Sequence, residues 1–433
     1  MNHVSDGRPG PDIAELGAET TAASSLDVRA APWHLGIAGG FVLLLVLGFL
    51  IRVALWPQAG LVGDVDVFVQ WVHGLATRGF GHAYDQQLSF PAVMAWIWGA
   101  LAAVQPAFAR APDATDPAIL ALMKAPASLA DLGIAAAVGW WFRDSPRLAL
   151  AAAAAILLWP VTWYVSALWG QYESLYVLPA LLAVLAARAH RPGWAAALLA
   201  IALMTKPQAL PFAVPFAAWF LATEGWRGAI KAATIAGAVA LVLWLPFLAA
   251  GGPIAYLRNL GAYQNDMFDF LSLRAWNPWW LVQELFGGGN FISDQTAVVG
   301  PLTYRMIGLA AAAGLVALVF VSVYRQPTPE RLAMGLAAVT LGAFIGLTTM
   351  HERYSYPAIV FLMLCWPNRN VVAAWVALAV ALMLNLVYAA PPPGLALPAY
   401  ALVGIVGSVA ITAVAVAALR WTWQEGNPGG AVR

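Results

Sequence analysis

The chain has 433 residues, 62% of them hydrophobic and 10% charged, with a net charge of +1. Apolar surface in so many separate runs exceeds what one water-soluble core can bury, which excludes an ordinary soluble domain. The near-zero charge leaves no footprint for nucleic acid. Cys365 is the only cysteine, so no intramolecular disulfide forms, and it reads as a small packing hydrophobe.

Residues 1–32 are polar, with Gly, Pro, Ala and acidic side chains and no basic stretch running directly into an apolar one. They read as a disordered N-terminal tail and not as a cleaved leader. Membrane helices begin near Trp33. Apolar segments follow at 33–56, 89–108, 118–142, 148–166, 173–187, 194–205, 208–222, 230–250, 301–324, 332–349, 354–366, 371–389 and 397–420. Several, notably 194–205 and 354–366, fall short of the ~20 residues a crossing needs. Such broken helices are tolerated where they line a cavity inside the protein. The pattern predicts an all-α polytopic membrane protein with about 11–13 transmembrane or re-entrant helices over 33–420, external loops at 57–88 and 251–300, and a C-terminal tail at 421–433.

Arg143, Arg147, Arg188, Arg191, Arg227, Lys231, Arg325, Arg331, Arg369 and Arg420 mark alternate turns as cytoplasmic. The corners WGQYES, TKPQ, 251–300, HERY and PPPG then share the external face. Lys206, Arg258, Arg274 and Arg353 break the positive-inside bias there, which makes them candidates for holding an anion. For 57–88 to be external as well, either 89–108 or 118–142 must fail to cross.

Five clusters on that face carry chemistry. Asp64 and Asp66 follow directly on the first membrane helix. A carboxylate beside a membrane cavity loses solvation, its pKa climbs toward working pH, and it can take a proton from a hydroxyl; at the head of VFVQWVHGLA it can equally cap a helix. Trp169, Gln171, Tyr172 and Glu173 combine aromatic, amide and carboxylate groups, a lining for a polyhydroxylated ligand or an interfacial belt. Lys206 and Gln208 flank Pro207, which breaks a helix and opens lysine and backbone to a cavity unless the lysine snorkels. Asn277 sits among tryptophans near Arg274. His351, Glu352 and Arg353 stand at the lip of an apolar helix: the arginine suits bidentate bonds to phosphate, the histidine a further donor, and Glu352 can orient either, or the three can close on one another. Lys124 and Asp131, seven apart on one helix face, read as an internal pair. One cavity with a carboxylate and several cations suits sugar transfer from a lipid-linked phosphate.

The ordered motifs GD…F…W, SFP, KAP…AD, WGQYES, TKPQAL, AWNPWWL and HERYSYP, spread over about residues 33–390, resemble the multi-spanning GT-C glycosyltransferases. The resemblance is to bacterial integral-membrane members related to the dolichyl-phosphate-glucose and -mannose transferases of N-glycan and GPI assembly. It implies a GT-C-like helix bundle with Asp64 as catalytic base (Asp66 the alternative) and His351, Arg353 and Lys206 at the donor phosphate. Trp169, Gln171, Tyr172, Glu173, Gln208, Asn277, Glu352 and Tyr354 would line the cavity for sugar or acceptor. The family's YPP is here SFPA, and a corner often written with Asp or Asn carries Glu173; both changes bear on recognition and not on the scaffold.

The expected activity is inverting transfer of a mannose- or glucose-type hexose from a polyprenyl-phosphate donor to a hydroxyl of a lipid, glycan or protein, at the external side of a bacterial plasma membrane. No cofactor is expected. Asp64 and Asp66 at i, i+2 offer too few donors to define a divalent cation site, leaving metal use open. A transporter or flippase of a lipid-linked sugar is the alternative, and it would not need a base at position 64.

Overall fold

The computed structural model describes residues 32–110, 113–288, 290–397 and 401–424. The expected N-terminal tail and most of the C-terminal tail lie outside them. The described residues form a helical membrane bundle. It opens with α1 (Pro32–Leu55), followed by α2 (Asp64–Arg78) and α3 (Ala92–Val104). Next come α4 (Pro117–Trp141), α5 (Pro146–Leu158), α6 (Pro160–Trp163), α7 (Glu173–Arg188), α8 (Pro192–Leu203) and α9 (Ala213–Trp244). Then follow α10 (Gly252–Ala262), α11 (Pro278–Gly287), α12 (Tyr304–Arg325), α13 (Pro329–Gly346), α14 (Tyr356–Met363), α15 (Arg369–Ala389) and α16 (Ala401–Trp423). Prolines open α4, α5, α6, α8, α11 and α13, where the missing N–H costs no bond. Asp116, Asn277, Thr303, Thr328 and Asn368 accept a backbone N–H at helix starts.

Among the described residues, six helical stretches are long and apolar enough to cross a membrane, and a seventh results if α5 and its bent continuation to Trp169 count as one. This is an all-α polytopic membrane protein. The crossing ambiguity resolves by length: α4 has 25 residues, whereas α3 has 13 and is too short for a crossing. The run Pro207–Phe247 is not straight, since it kinks at Gly225, whose φ of 68° a side chain would resist. It thus accommodates both apolar segments expected on either side.

Neither expected loop is simply a loop. Residues 57–88 contain α2, which buries Val65, Phe68, Val69, Trp71, Val72 and Leu75. Their partners include Phe90, Trp98 and Tyr172, so this corner makes an aromatic core of its own, separate from the main bundle core. Residues 251–300 contain α10 and α11 and a short strand β1 (Ser272–Leu273). Further on come an antiparallel pair, β2 (Ala297–Val299) and β3 (Leu302–Thr303), and β4 (Met350–His351), which pairs in parallel with β1. That β1–β4 ladder ties the 251–300 segment to the HERY corner.

At the centre of the bundle, Asp131 on α4 gathers four elements. Arg52 of α1 donates to its Oδ2 at 2.8 Å, with both side chains fully buried. Ser166 donates to Oδ2 at 2.6 Å, Tyr356 to Oδ1 at 3.3 Å, and Ser174 also to Oδ1. Lys124 is therefore not the partner of Asp131. Seven residues of helix rise put the two about 10 Å apart, and Lys124 instead donates to the Gln58 carbonyl at 2.6 Å. Substituting Asp131→Ala would leave the Arg52 guanidinium buried without a counter-charge, a loss of about 3–5 kcal/mol. The expected result is a clear fall in thermal midpoint in detergent, with a partial recovery in Arg52→Met/Asp131→Leu; an unchanged single variant would refute the hub.

Candidate active site

The polypeptide after α6 widens into a π-helical turn, Tyr164–Trp169, closed by Gly170 at φ 88°. The Gln171 N–H returns to the Val165 carbonyl at 2.9 Å. One-turn π segments of this kind re-aim side chains at functional sites. Here Trp169 and Gln171 are turned toward the start of α2. The Trp169 indole donates to Asp64 Oδ2 at 3.0 Å, and the Gln171 amide donates to the same oxygen. Asp64 does not cap α2: Gly63 occupies the cap position without a side-chain bond, and Asp64 is the first helical residue. The positive end of the helix favours its carboxylate. Asp66 is exposed and meets none of these partners. Of the two aspartates, Asp64 alone joins the cluster.

Across from Asp64 lies the HERY corner, between α13 and α14. Arg353 is buried, with its Nη2 4.0 Å from Asp64 Oδ2, its Nη1 donating to Glu352 Oε1 at 2.6 Å, and its Nε 3.4 Å from Glu173 Oε1. The guanidinium also lies 5.0 Å from the Trp169 ring centre, within cation–π range. Lys206 donates to the same Glu173 oxygen at 2.5 Å, so one fully buried carboxylate bridges both cations. Its other oxygen, Oε2, has no hydrogen-bond partner among the described residues. His351 is fixed by the β1–β4 ladder and by the ring of Phe268, 5.3 Å away edge-on; its Nδ1 is 3.8 Å from Glu352 Oε2.

Burial and the neighbouring Arg353 charge depress the His351 imidazole below its ordinary value, against the pull of Glu352. Burial also lowers the Lys206 ammonium despite Glu173. Burial works against charge on Glu352, yet Arg353 and His351 hold its carboxyl down at about 2. For Arg353 burial is likewise opposed, and outweighed, by Glu352, Asp64 and Glu173, which keep it charged. Among the described residues, no three His, Cys, Asp or Glu side chains converge as a metal-ion cluster.

A cavity of about 590 Å³ opens beside this cluster. Its deep walls are apolar, from Val214, Leu309, Ala312, Val316 and Phe344. Gln208, Met350 and Tyr354 line it next to Lys206 and Arg353, while Arg305, Asp294 and Gln264 stand at its polar edge. Arg305 grips Asp294 through two bonds of 2.9 and 2.8 Å, and Asp294 accepts from Thr348 at 2.7 Å. The sequence reading missed this clasp: Asp294 lies in a Gly-rich polar stretch, and Arg305 looks like an ordinary residue at a helix start. Phe268 was equally silent.

Two expected lining residues, and Arg274, expected as a candidate for holding an anion, are used otherwise. Tyr172 is packed in the aromatic core, donating to the Met123 carbonyl at 3.1 Å. Asn277 caps α11, accepting from Trp280 N at 2.9 Å and donating to Phe344 O at 2.9 Å. Arg274, at φ 63°, sends its guanidinium to the Ala389 carbonyl at 2.9 Å, and only its backbone meets His351.

The described residues thus set a carboxylate against clustered cations inside a membrane bundle, with an apolar cavity alongside. Residues 90–347, more than half of the chain, match glycosyltransferase family 87. The chain belongs to that family, one of the GT-C-type membrane glycosyltransferases, and is an enzyme of the glycosyltransferase type. The transporter alternative falls with this membership. The matched stretch holds Trp169, Gln171, Glu173 and Lys206, whereas Asp64 and the HERY corner lie beyond its ends. No curated protein matches the chain.

The Glu352 depression has a measurable consequence. A carboxyl held below its unfolded value stabilises the fold fully above about pH 4.5 and loses that contribution as pH falls toward about 2. The contribution is on the order of 3 kcal/mol. Thermal midpoints recorded from pH 6 down to pH 3 should fall steeply for the wild type and less so for Glu352→Gln. Parallel curves would mean that Glu352 is not held ionised by its neighbours.

Proposed function

We propose that this enzyme transfers a mannose- or glucose-type hexose from a polyprenyl-phosphate donor to an acceptor hydroxyl at the external face of a bacterial plasma membrane. The observation that carries the reading is Asp64 facing Arg353 at 4.0 Å, beside an apolar cavity that the neighbouring Tyr354 helps to line. The prenyl chain would lie against Leu309, Val316 and Phe344. The phosphate would be held by Arg353, Lys206 and His351, of which only arginine offers a planar fork for two phosphate oxygens.

The reaction then needs two things from the protein. Asp64 takes the proton of the acceptor hydroxyl as that oxygen attacks the anomeric carbon. The bond from that carbon to the phosphate oxygen breaks, and the departing phosphate keeps the electron pair, its growing charge met by the cations. Both changes occur in one displacement, which inverts the anomeric centre. Trp169 and Gln171 fix Asp64 through one oxygen, leaving Oδ1 for the acceptor. His351, neutral in the free site because burial and Arg353 disfavour its charge, gains a reason to protonate once the phosphate arrives.

In nanodiscs with radiolabelled polyprenyl-phosphate mannose or glucose and lipid or glycan extracts, Asp64→Asn should lower kcat about 10²–10⁴-fold while donor KM changes little. Arg353→Ala should instead raise donor KM at least tenfold. Transfer that survives Asp64→Asn would sink the assigned base. Donor affinity should also weaken as pH rises through the titration of His351 in the complex, a dependence that His351→Gln removes. Retention of the slope in that variant would assign the proton elsewhere.

A further inference from the structure

Away from the catalytic cluster, a second cleft of about 450 Å³ lies between the turn that follows α2 and the start of α10. Tyr84, Asp85, Gln86, Gln87, Arg258 and Asn259 line it. Half of this set is committed to structure. Asn259 donates to the Gln86 and Leu88 carbonyls at 2.9 and 3.1 Å, Gln86 donates to the Trp71 carbonyl at 3.0 Å, and the Tyr84 hydroxyl donates to the Phe90 carbonyl at 3.0 Å. The other half is open. Asp85 uses one oxygen for His82 at 2.8 Å, and its second oxygen has no hydrogen bond among the described residues. The side chains of Gln87 and Arg258 are exposed and make no hydrogen bond or ion pair to another described residue.

The open groups are one carboxylate oxygen, an amide and a guanidinium, and the amide and the guanidinium are each able to offer two neighbouring atoms to one partner. Such pairs match the spacing of adjacent hydroxyls on a sugar ring. Arg258 is also one of the external cations that the phosphate site does not use. The cleft is joined to the catalytic cluster by a short relay: the Tyr84 hydroxyl holds the Phe90 carbonyl, and the Phe90 ring lies 5.7 Å from Lys206 Nζ. Beside the cleft, Ile254 and Leu257 on the outer face of α10 are 68% and 65% exposed, an apolar face suited to the membrane surface.

We infer that this cleft is a glycan-binding subsite for the acceptor, with Asp85, Gln87 and Arg258 holding vicinal hydroxyls of a sugar outside the catalytic cavity. The inference rests on the glycosyl-transfer reading, and it adds a recognition site that the donor cluster does not contain. Ser89, Phe90 and Pro91 belong to the segment joining cleft to cavity.

Saturation-transfer NMR on the full chain in detergent, with methyl α-mannoside and methyl α-glucoside as probes, tests it. Saturation of at least one glycoside should persist in Asp64→Asn and Arg353→Ala and fall at least fivefold in Gln87→Ala/Arg258→Ala. Both cleft residues are exposed, and an unchanged thermal midpoint verifies folding; Gln87→Glu/Arg258→Lys, which keeps polar groups in place, should recover part of the signal. A hexosyl diacylglycerol in nanodiscs that displaces the glycoside identifies the acceptor as a lipid headgroup, and glycoside that stays bound identifies a free glycan. Absence of saturation in the wild type overturns the subsite. Loss in Arg353→Ala with retention in the cleft double variant overturns it too, because the sugar then sits in the catalytic cavity. Persistent cleft binding together with transfer unaffected by Asp64→Asn would instead count against the assigned mechanism and spare the subsite.

Discussion

Glu173 is a buried carboxylate set between two cations, and the site is arranged around that fact. An isolated charge at this depth would be far too costly to keep. It persists because Lys206 and Arg353 approach the same oxygen. Conversely, neither cation would stay charged and desolvated in an apolar bundle without it. Lys206 comes from the proline break before α9 and Arg353 from the corner before α14, so the pairing also fixes how those two distant corners meet. The geometry of the charged cluster and the packing of the bundle are one problem solved once.

The hub at Asp131 serves the same end from below. Ser166 sits in the π-helical turn that presents Trp169, Ser174 follows Glu173, and Tyr356 lies three residues past Arg353. Each of the three segments that carry Trp169, Glu173 and Arg353 is thereby pinned to one carboxylate, whose charge Arg52 meets from α1. Polar networks of this kind are stable only when every member is satisfied, which is how a bundle rich in interchangeable apolar contacts acquires a single arrangement near its chemistry.

Much of this was legible beforehand because membrane burial is so demanding. A Lys, Glu or Arg in a chain 62% hydrophobic needs a partner, and the WGQYES, TKPQ and HERY corners could be expected to find each other. Asp64 was separable from Asp66 only in three dimensions, since helix direction decides which of two carboxylates turns inward. Partners far apart in the chain escaped: Arg52 lies 79 residues from Asp131, and nothing local distinguishes it from an anchor at a helix end. The Lys124–Asp131 pairing failed because face periodicity ignores axial distance. Tyr172 and Asn277 looked like lining residues because composition cannot tell a sugar platform from a core aromatic, or a ligand amide from a helix cap.

The π-helical turn at Tyr164–Trp169 carries a consequence for how such enzymes can diverge. A π turn is an α-helix with one residue too many, and the surplus is what swings Trp169 and Gln171 onto Asp64. Removing a single residue there would let the helix relax and rotate everything beyond it by about 100°. Side-chain identities around Asp64 can therefore drift, while the residue count between Pro160 and Gly170 cannot. Length, not composition, is the conserved quantity this stretch of the fold requires.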